Sequence, residues 1–211
     1  MAREKLTTTV RREQIAAVAL ELIAARGLSN LSVGAVAEQV GLVPSALYRH
    51  FRGKEEILDA VLDLIQAKLT RNVQAVRESS DDPLTQLHSL LMAHVQTIRQ
   101  NRGIPQVVFS QGLYAGQPDR RGRVYAAIRE YLGEVAEIIR DGQRGGRFRA
   151  GLQPDATAVL FLGLVQPSAV LWQMSRGEFD VKRQAIEAWP LFRRAILNEA
   201  NEGDESSCER E

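Results

Sequence analysis

The stretch of the chain best equipped for chemistry runs from Pro44 to Lys54, where Tyr48, Arg49, His50, Arg52 and Lys54 crowd together and no acidic residue occurs between Gly41 and Gly53. Such a set suits a polyanion: lysine and tyrosine hold phosphate oxygens, and an arginine fork matches the acceptors of a guanine edge. Tyr48 and Lys54 are therefore expected on phosphates, Lys54 beside the start of the next helix, whose N–H groups share that task. Pro44, Ser45 and Arg49 are expected near base edges, with Ala46 and His50 on the same surface.

Nothing comparable equips the chain for catalysis. A nucleophile with its base, paired carboxylates or metal ligands at helical spacing would be needed, and none is visible. His88 and His94 are too far apart in register to share a helix face, so neither metal nor cofactor is expected. His94 falls on one face with Leu87, Leu90, Leu91 and Ile98, where a histidine is ordinarily a core residue with its hydrogen bond satisfied. The single cysteine, Cys208, excludes an internal disulfide. The glycine-rich turn Asp141 to Gly146 lacks the Gly-Lys-Ser/Thr and the preceding strand of a phosphate loop, so it reads as a helix end. Arg120, Arg121 and Arg123 read as a solvated basic turn, with an anionic ligand as the functional alternative.

The elements that must position the basic cluster follow from spacing. Val33, Val36, Ala37 and Val40 recur at helical intervals, with Ser32 placed to cap them and Gly41 to end them. Pro44 suits the first position of a second helix, expected over Pro44 to Phe51, whose Leu47 and Phe51 pack back on the first. Two short helices joined by a tight turn form a helix-turn-helix, in which the second helix enters the major groove of DNA. Upstream, Thr9 is expected to cap a helix running to about Arg26, with Ile15, Ala19, Leu22 and Ile23 buried against that pair.

Downstream, Glu55 and Glu56 open a long helix whose apolar face continues through Ile65 to about Val76, and Ser79 to Pro83 breaks it. Further helices are expected over Leu84–Asn101, Pro105–Tyr114, Asp119–Gln143, Asp155–Ser175 and Lys182 to about Ala200, with Pro167 and Pro190 as local disruptions. No stretch alternates with period two, so the fold is expected to be all-α, with about nine helices. The expected organisation is a helix-turn-helix domain at 1–54, a connecting helix and turn at 55–82, a helical bundle at 83–201, and an acidic tail at 202–211.

Composition agrees with a globular protein: 45% of the 211 residues are hydrophobic and 25% charged. The net charge of +1 conceals a more basic body, because Glu202, Asp204, Glu205, Glu209 and Glu211 concentrate in the tail against Arg210 alone. Even Ala156 to Leu171 is too short, and too interrupted by Gln166 and Pro167, for a membrane span. A reducing cytoplasm is the expected setting.

The run from Gly41 to Leu58, with Tyr48, Phe51 and Lys54 at their positions, resembles the signature of the tetracycline-repressor (TetR/AcrR) family of bacterial transcription regulators. The resemblance extends back through Ile15, Ala19, Leu22 and Gly27 to Ser32 and Val33, so it covers about the first sixty residues. The chain departs from it at Val43, where a capping serine is usual, at Ala46, where threonine often contacts DNA, and at Gly34, often basic. Ser32, Pro44, Ser45, Ala46, Tyr48, Arg49, His50 and Lys54 are the DNA-facing residues that the resemblance implies.

It further implies a homodimeric, sequence-specific DNA-binding regulator, a repressor of an inverted-repeat operator released by a small hydrophobic or aromatic effector. The effector would lie among His88, Met92, His94, Val95, Phe109, Tyr114, Tyr125, Phe161 and Trp172, most of which core packing alone would also explain. The last two helices would meet their symmetry mates through Leu160, Leu164, Leu171, Ile186, Trp189, Phe192 and Ile196; a purely internal core is the alternative. Competing functions are a ligand-independent or architectural DNA binder, and a helical carrier or enzyme with a vestigial helix-turn-helix. Missing catalytic groups weigh against the last, and near-neutral charge against an architectural binder.

Overall fold

The structure, a computed structural model, describes residues 8–115 and 117–198. The acidic tail with Cys208, and residues 1–7, lie outside the described residues. The described chain is helical: α1 Thr8–Arg26, α2 Val33–Val40, α3 Pro44–Leu47, α4 Lys54–Ser79, α5 Pro83–Gln100, α6 Gly103–Val108, α7 Gln111–Tyr114, α8 Pro118–Arg144, α9 Pro154–Gly163, α10 Gln166–Met174 and α11 Val181–Ile196. Among the described residues the one extended pairing is an isolated antiparallel bridge between Phe148 and Leu197.

Several boundaries differ from those read off the sequence. Thr9 lies inside α1, which begins at Thr8, so it is not the cap. The helix expected over Asp155–Ser175 is two, because Pro167 sits in the first turn of α10. Proline lacks the amide that would continue the ladder, and its ring collides with the preceding turn. Pro190, by contrast, is accommodated within α11. The helix expected over Pro105–Tyr114 likewise divides into α6 and α7 about Phe109 and Ser110.

The described residues divide into two compact units, one drawn from 1–68 with 100–126 and the other from 69–99 with 127–211. The first therefore takes in α6, α7 and the start of α8 as well as the helix-turn-helix. Its core joins Ile15, Ala19 and Ile23 of α1 to Val36 and Ala37 of α2, Leu47 of α3, Phe51, and Ile57, Leu58 and Val61 of α4, all buried. The stripe on α1 thus packs on α2 as its spacing predicts, and α6 covers α1 as well. That second contact requires a glycine: a Cβ at Gly103 would lie 2.3 Å from the carbonyl oxygen of Leu20.

In the second unit, Leu87, Leu90, Leu91 and Val95 of α5 pack with Val135, Ile138 and Ile139 of α8, Phe161 of α9, and Ala185 and Phe192 of α11. Phe148 folds its ring over Gly142, where a Cβ would meet the ring at 2.1 Å. Beyond it, Arg149 N donates to Ile196 O and Asn198 N to Arg147 O, holding the end of α11 beside the chain leaving α8.

Candidate nucleic-acid interface

The interface is built from the turn between α2 and α3. Ser32 Oγ accepts from the amide of Ala35 at 3.2 Å, the cap expected of it. Gly41 adopts φ 72°, a left-handed backbone that a side chain would strain, and it closes α2 through Leu42 N to Ala37 O and its own N to Glu38 O. Val43 then occupies the cap position of α3 and makes no side-chain cap, and Pro44 follows in the first turn.

The recognition element is shorter than expected. The α-helix ends at Leu47, and the chain continues to His50 in tighter turns, with Arg49 N bonded to Ala46 O and His50 N to Leu47 O. Leu47 and Phe51 are buried, as their spacing predicts. Pro44, Ser45, Tyr48 and Arg49 are exposed and Ala46 and His50 half-buried.

Lys54 departs from the expected role. Its ammonium donates to the carbonyl oxygens of Leu28 and Ser29 at 3.2 and 3.3 Å, tying the turn after α1 to the start of α4. At least two of its three donors are thus spent on the protein itself. Local spacing carries no trace of these bonds, because the partners lie in an irregular turn far upstream.

Arg12 is the residue that sequence reasoning undervalued. Its guanidinium donates to His50 O and, at 2.9 Å, to Glu56 Oε1, while lying 4.2 Å from the centre of the Phe51 ring. Glu56 accepts in turn from the Arg52 amide at 2.8 Å. That amide first, and Arg12 second, hold the Glu56 carboxyl below its ordinary value. The result is a clamp from α1 across the end of the recognition element onto the first turn of α4.

Arg120 corrects a second expectation. It is no solvated turn residue: only 4% exposed, it donates from Nε to Asp59 at 2.9 Å, from Nη1 to Glu55 at 2.8 Å and to Leu113 O, and from Nη2 to Glu55 O. Arg123 adds Asp63 at 2.6 Å. Arginine suits this place, since its planar fork serves several acceptors at once.

The candidate effector residues divide between the two units. In the first, Phe109 and Tyr125 are exposed, and Tyr114 donates its hydroxyl to Val108 O at 2.8 Å. In the second, Val95 and Phe161 are buried, Met92 and Trp172 are half-buried, and the His88 ring lies tilted at 45° to that of Trp189, with centroids 5.0 Å apart. His94 is buried and shares a 3.0 Å hydrogen bond with the hydroxyl of Tyr131, a partner that its helix face did not reveal. Burial pushes its imidazole down to about 4 and raises the Tyr131 phenol. Phe161 belongs to the core, 5.7 Å from Phe192.

The candidate dimer residues also separate. Leu160 is 66% exposed and Ile186 50%, Leu171 is exposed, and Val159, Met174 and Leu191 add to this apolar surface. Leu164 and Trp189 are half-buried. Phe192 and Ile196 are instead buried in their own unit, on the inward face of α11, and are not available to a partner.

Two family models match: one described as bacterial regulatory proteins, tetR family, over residues 15–61, and one as a tetracyclin repressor-like C-terminal domain over 80–196. The nucleoid occlusion factor SlmA of Edwardsiella ictaluri (strain 93-146) is 25% identical over 195 residues, 91% of this chain and 98% of its own. The fatty acid degradation regulator FadR from Bacillus halodurans superimposes with a TM-score of 0.75 at 21% identity, over 90% of this chain and 97% of that one. FadR from Bacillus subtilis, solved in complex with stearoyl-CoA, gives 0.72 at 20% identity, over 87% and 98%.

Proposed function

The chain belongs to the tetR family of bacterial regulatory proteins and is a DNA-binding regulator, and from that premise we propose that it is a cytoplasmic homodimeric repressor of an inverted-repeat operator. The observation that carries this reading is the exposed Pro44, Ser45, Tyr48 and Arg49 surface, held on a buried core and clamped by Arg12. A two-fold dimer presents two such surfaces about one turn of DNA apart, which calls for symmetric half-sites. The apolar surplus supports the pairing. The most apolar window within Pro154–Met174 is only 39% buried in the single chain, which leaves apolar surface for a second copy to cover.

Release by a small hydrophobic molecule is the mechanism we propose for control. A FadR relative solved with stearoyl-CoA favours an acyl or similarly apolar effector, and α4 contributes residues to both compact units, so it is the element through which an effector would act. A second reading, a DNA-bound factor whose output is not transcription, is favoured by relatives named nucleoid occlusion factors.

Enrichment of genomic fragments by the purified protein, followed by footprinting, tests these readings. The expected result is a short inverted repeat near a promoter, bound about 5- to 150-fold more weakly with effector present, as ordinary allosteric coupling allows. Arg49→Ala should relax preference at one base pair of each half-site, at a cost of about 1–3 kcal/mol. Sites scattered without promoters would favour the second reading. Protection without sequence preference would overturn the operator assignment.

A further inference from the structure

At the leading end of the recognition element stands an apolar side chain that the core does not use, although the backbone carbonyl of Val43 accepts from the Ala46 and Leu47 amides. Val43 occupies the cap position of α3 with φ −73° and ψ 145° and forms no cap, although serine, threonine, aspartate and asparagine are the residues that stabilise a helix there. Nor is it a packing residue. Its neighbours Leu47 and Phe51 are fully buried, whereas Val43 is 63% exposed. A β-branched hydrocarbon thus stands in water at the one place in the fold where the first residues of a recognition helix approach base edges.

The surroundings extend the same chemistry. Pro44 is exposed and has no amide proton to donate, Ala46 carries a methyl group, and Ser45 offers one short hydroxyl. The long polar groups, Tyr48, Arg49 and Arg52, come later and are exposed beyond the α-helical turn. The leading end of the element therefore offers almost nothing to the acceptors of guanine or the amino groups of adenine and cytosine. In the major groove one base presents an apolar feature, the 5-methyl group of thymine.

We propose that Val43, with Pro44 beside it, is a specificity-determining residue that reads thymine methyl groups in each half of the operator. The inference rests on the DNA-binding reading given above. Discrimination would come from desolvation: a thymine methyl against the isopropyl group is removed from water, while a cytosine there leaves its amino group facing hydrocarbon unpaired.

Replacing single thymines of the enriched operator by deoxyuridine removes the methyl and nothing else, and it tests the proposal with the full chain. One or two thymine positions in each half-site should each cost about fourfold in affinity when the methyl is lost, the equivalent of one buried methylene. Val43→Ser should bind the thymine and deoxyuridine operators alike, with the salt dependence of binding unchanged. Because serine restores a cap, its melting temperature should equal or exceed that of the parent, so weaker binding would not reflect a damaged fold. A parent protein that binds its operator but ignores every deoxyuridine substitution would overturn the inference and leave the DNA-binding reading intact. So would a Val43→Ser variant that keeps the methyl sensitivity. Failure to enrich any fragment would overturn both.

Discussion

Protonating His94 would place a charge in the apolar interior of the second unit, among Leu87, Leu90, Leu91 and Val95, with the Tyr131 hydroxyl as its polar neighbour. The pH dependence of stability follows in sign. Burial depresses the folded-state pKa to about 4 from 6.5, so as pH falls the unfolded chain takes up this proton first. The His94 contribution is full above about pH 6.5, is lost between pH 6.5 and 4, and is constant below; at about 1.4 kcal/mol per unit the loss approaches about 3 kcal/mol. Urea unfolding followed by the fluorescence of Trp172 and Trp189, both in this unit, measures it. His94→Gln keeps a hydrogen-bonding partner for Tyr131 and should remove that part of the slope. A variant with the parent's full slope would show that other groups cause it.

At the scale of elements, Arg120 joins the start of α8 to the first two turns of α4, the helix that leaves the recognition element. Arg120→Lys keeps the charge but supplies one compact donor group where three nitrogens served Asp59, Glu55 and two backbone carbonyls. Leaving a carbonyl such as Leu113 O without its partner should cost about 1–3 kcal/mol. Hydrogen exchange at the amides of α4 should quicken in the variant; unchanged protection would show that the network adds nothing. How much of this was legible in the sequence depends on how far apart the partners are. The helix-turn-helix was readable, because Val36, Gly41, Pro44, Leu47 and Phe51 act on neighbours a few positions away. The Arg120 and Arg12 networks were not, since their partners lie 61 and 44 positions off and an arginine near a helix end looks the same paired or solvated. The early end of α3 was hidden similarly: the turn tightens where Arg12 takes the His50 carbonyl, a contact that local spacing cannot show.

At the scale of the whole molecule, the apolar periodicity of α9 to α11 announced surplus hydrophobic surface without saying which residues faced inward. The helices of the second unit settle this for Phe192 and Ile196, which they bury, and leave Leu160, Leu171 and Ile186 in water. Two substitutions on α11 should therefore fail in different ways. Phe192→Ala opens a cavity beside Phe161 and should destabilise the fold by about 3–5 kcal/mol whatever the oligomeric state. Ile186→Glu lies on a surface that is solvated in the single chain, so a folded protein with unaltered helix content is expected. Its defect should be association: light scattering should report a monomer where the parent is a dimer. A monomer engages one half-site at a time, losing the effective concentration that couples the second contact to the first, so operator affinity should fall by a factor of about 100 or more. Methyl reading by Val43 within a single half-site should survive, because that surface belongs to one chain. An Ile186→Glu protein that remained dimeric and bound the intact inverted repeat with parental affinity would move the interface away from this face.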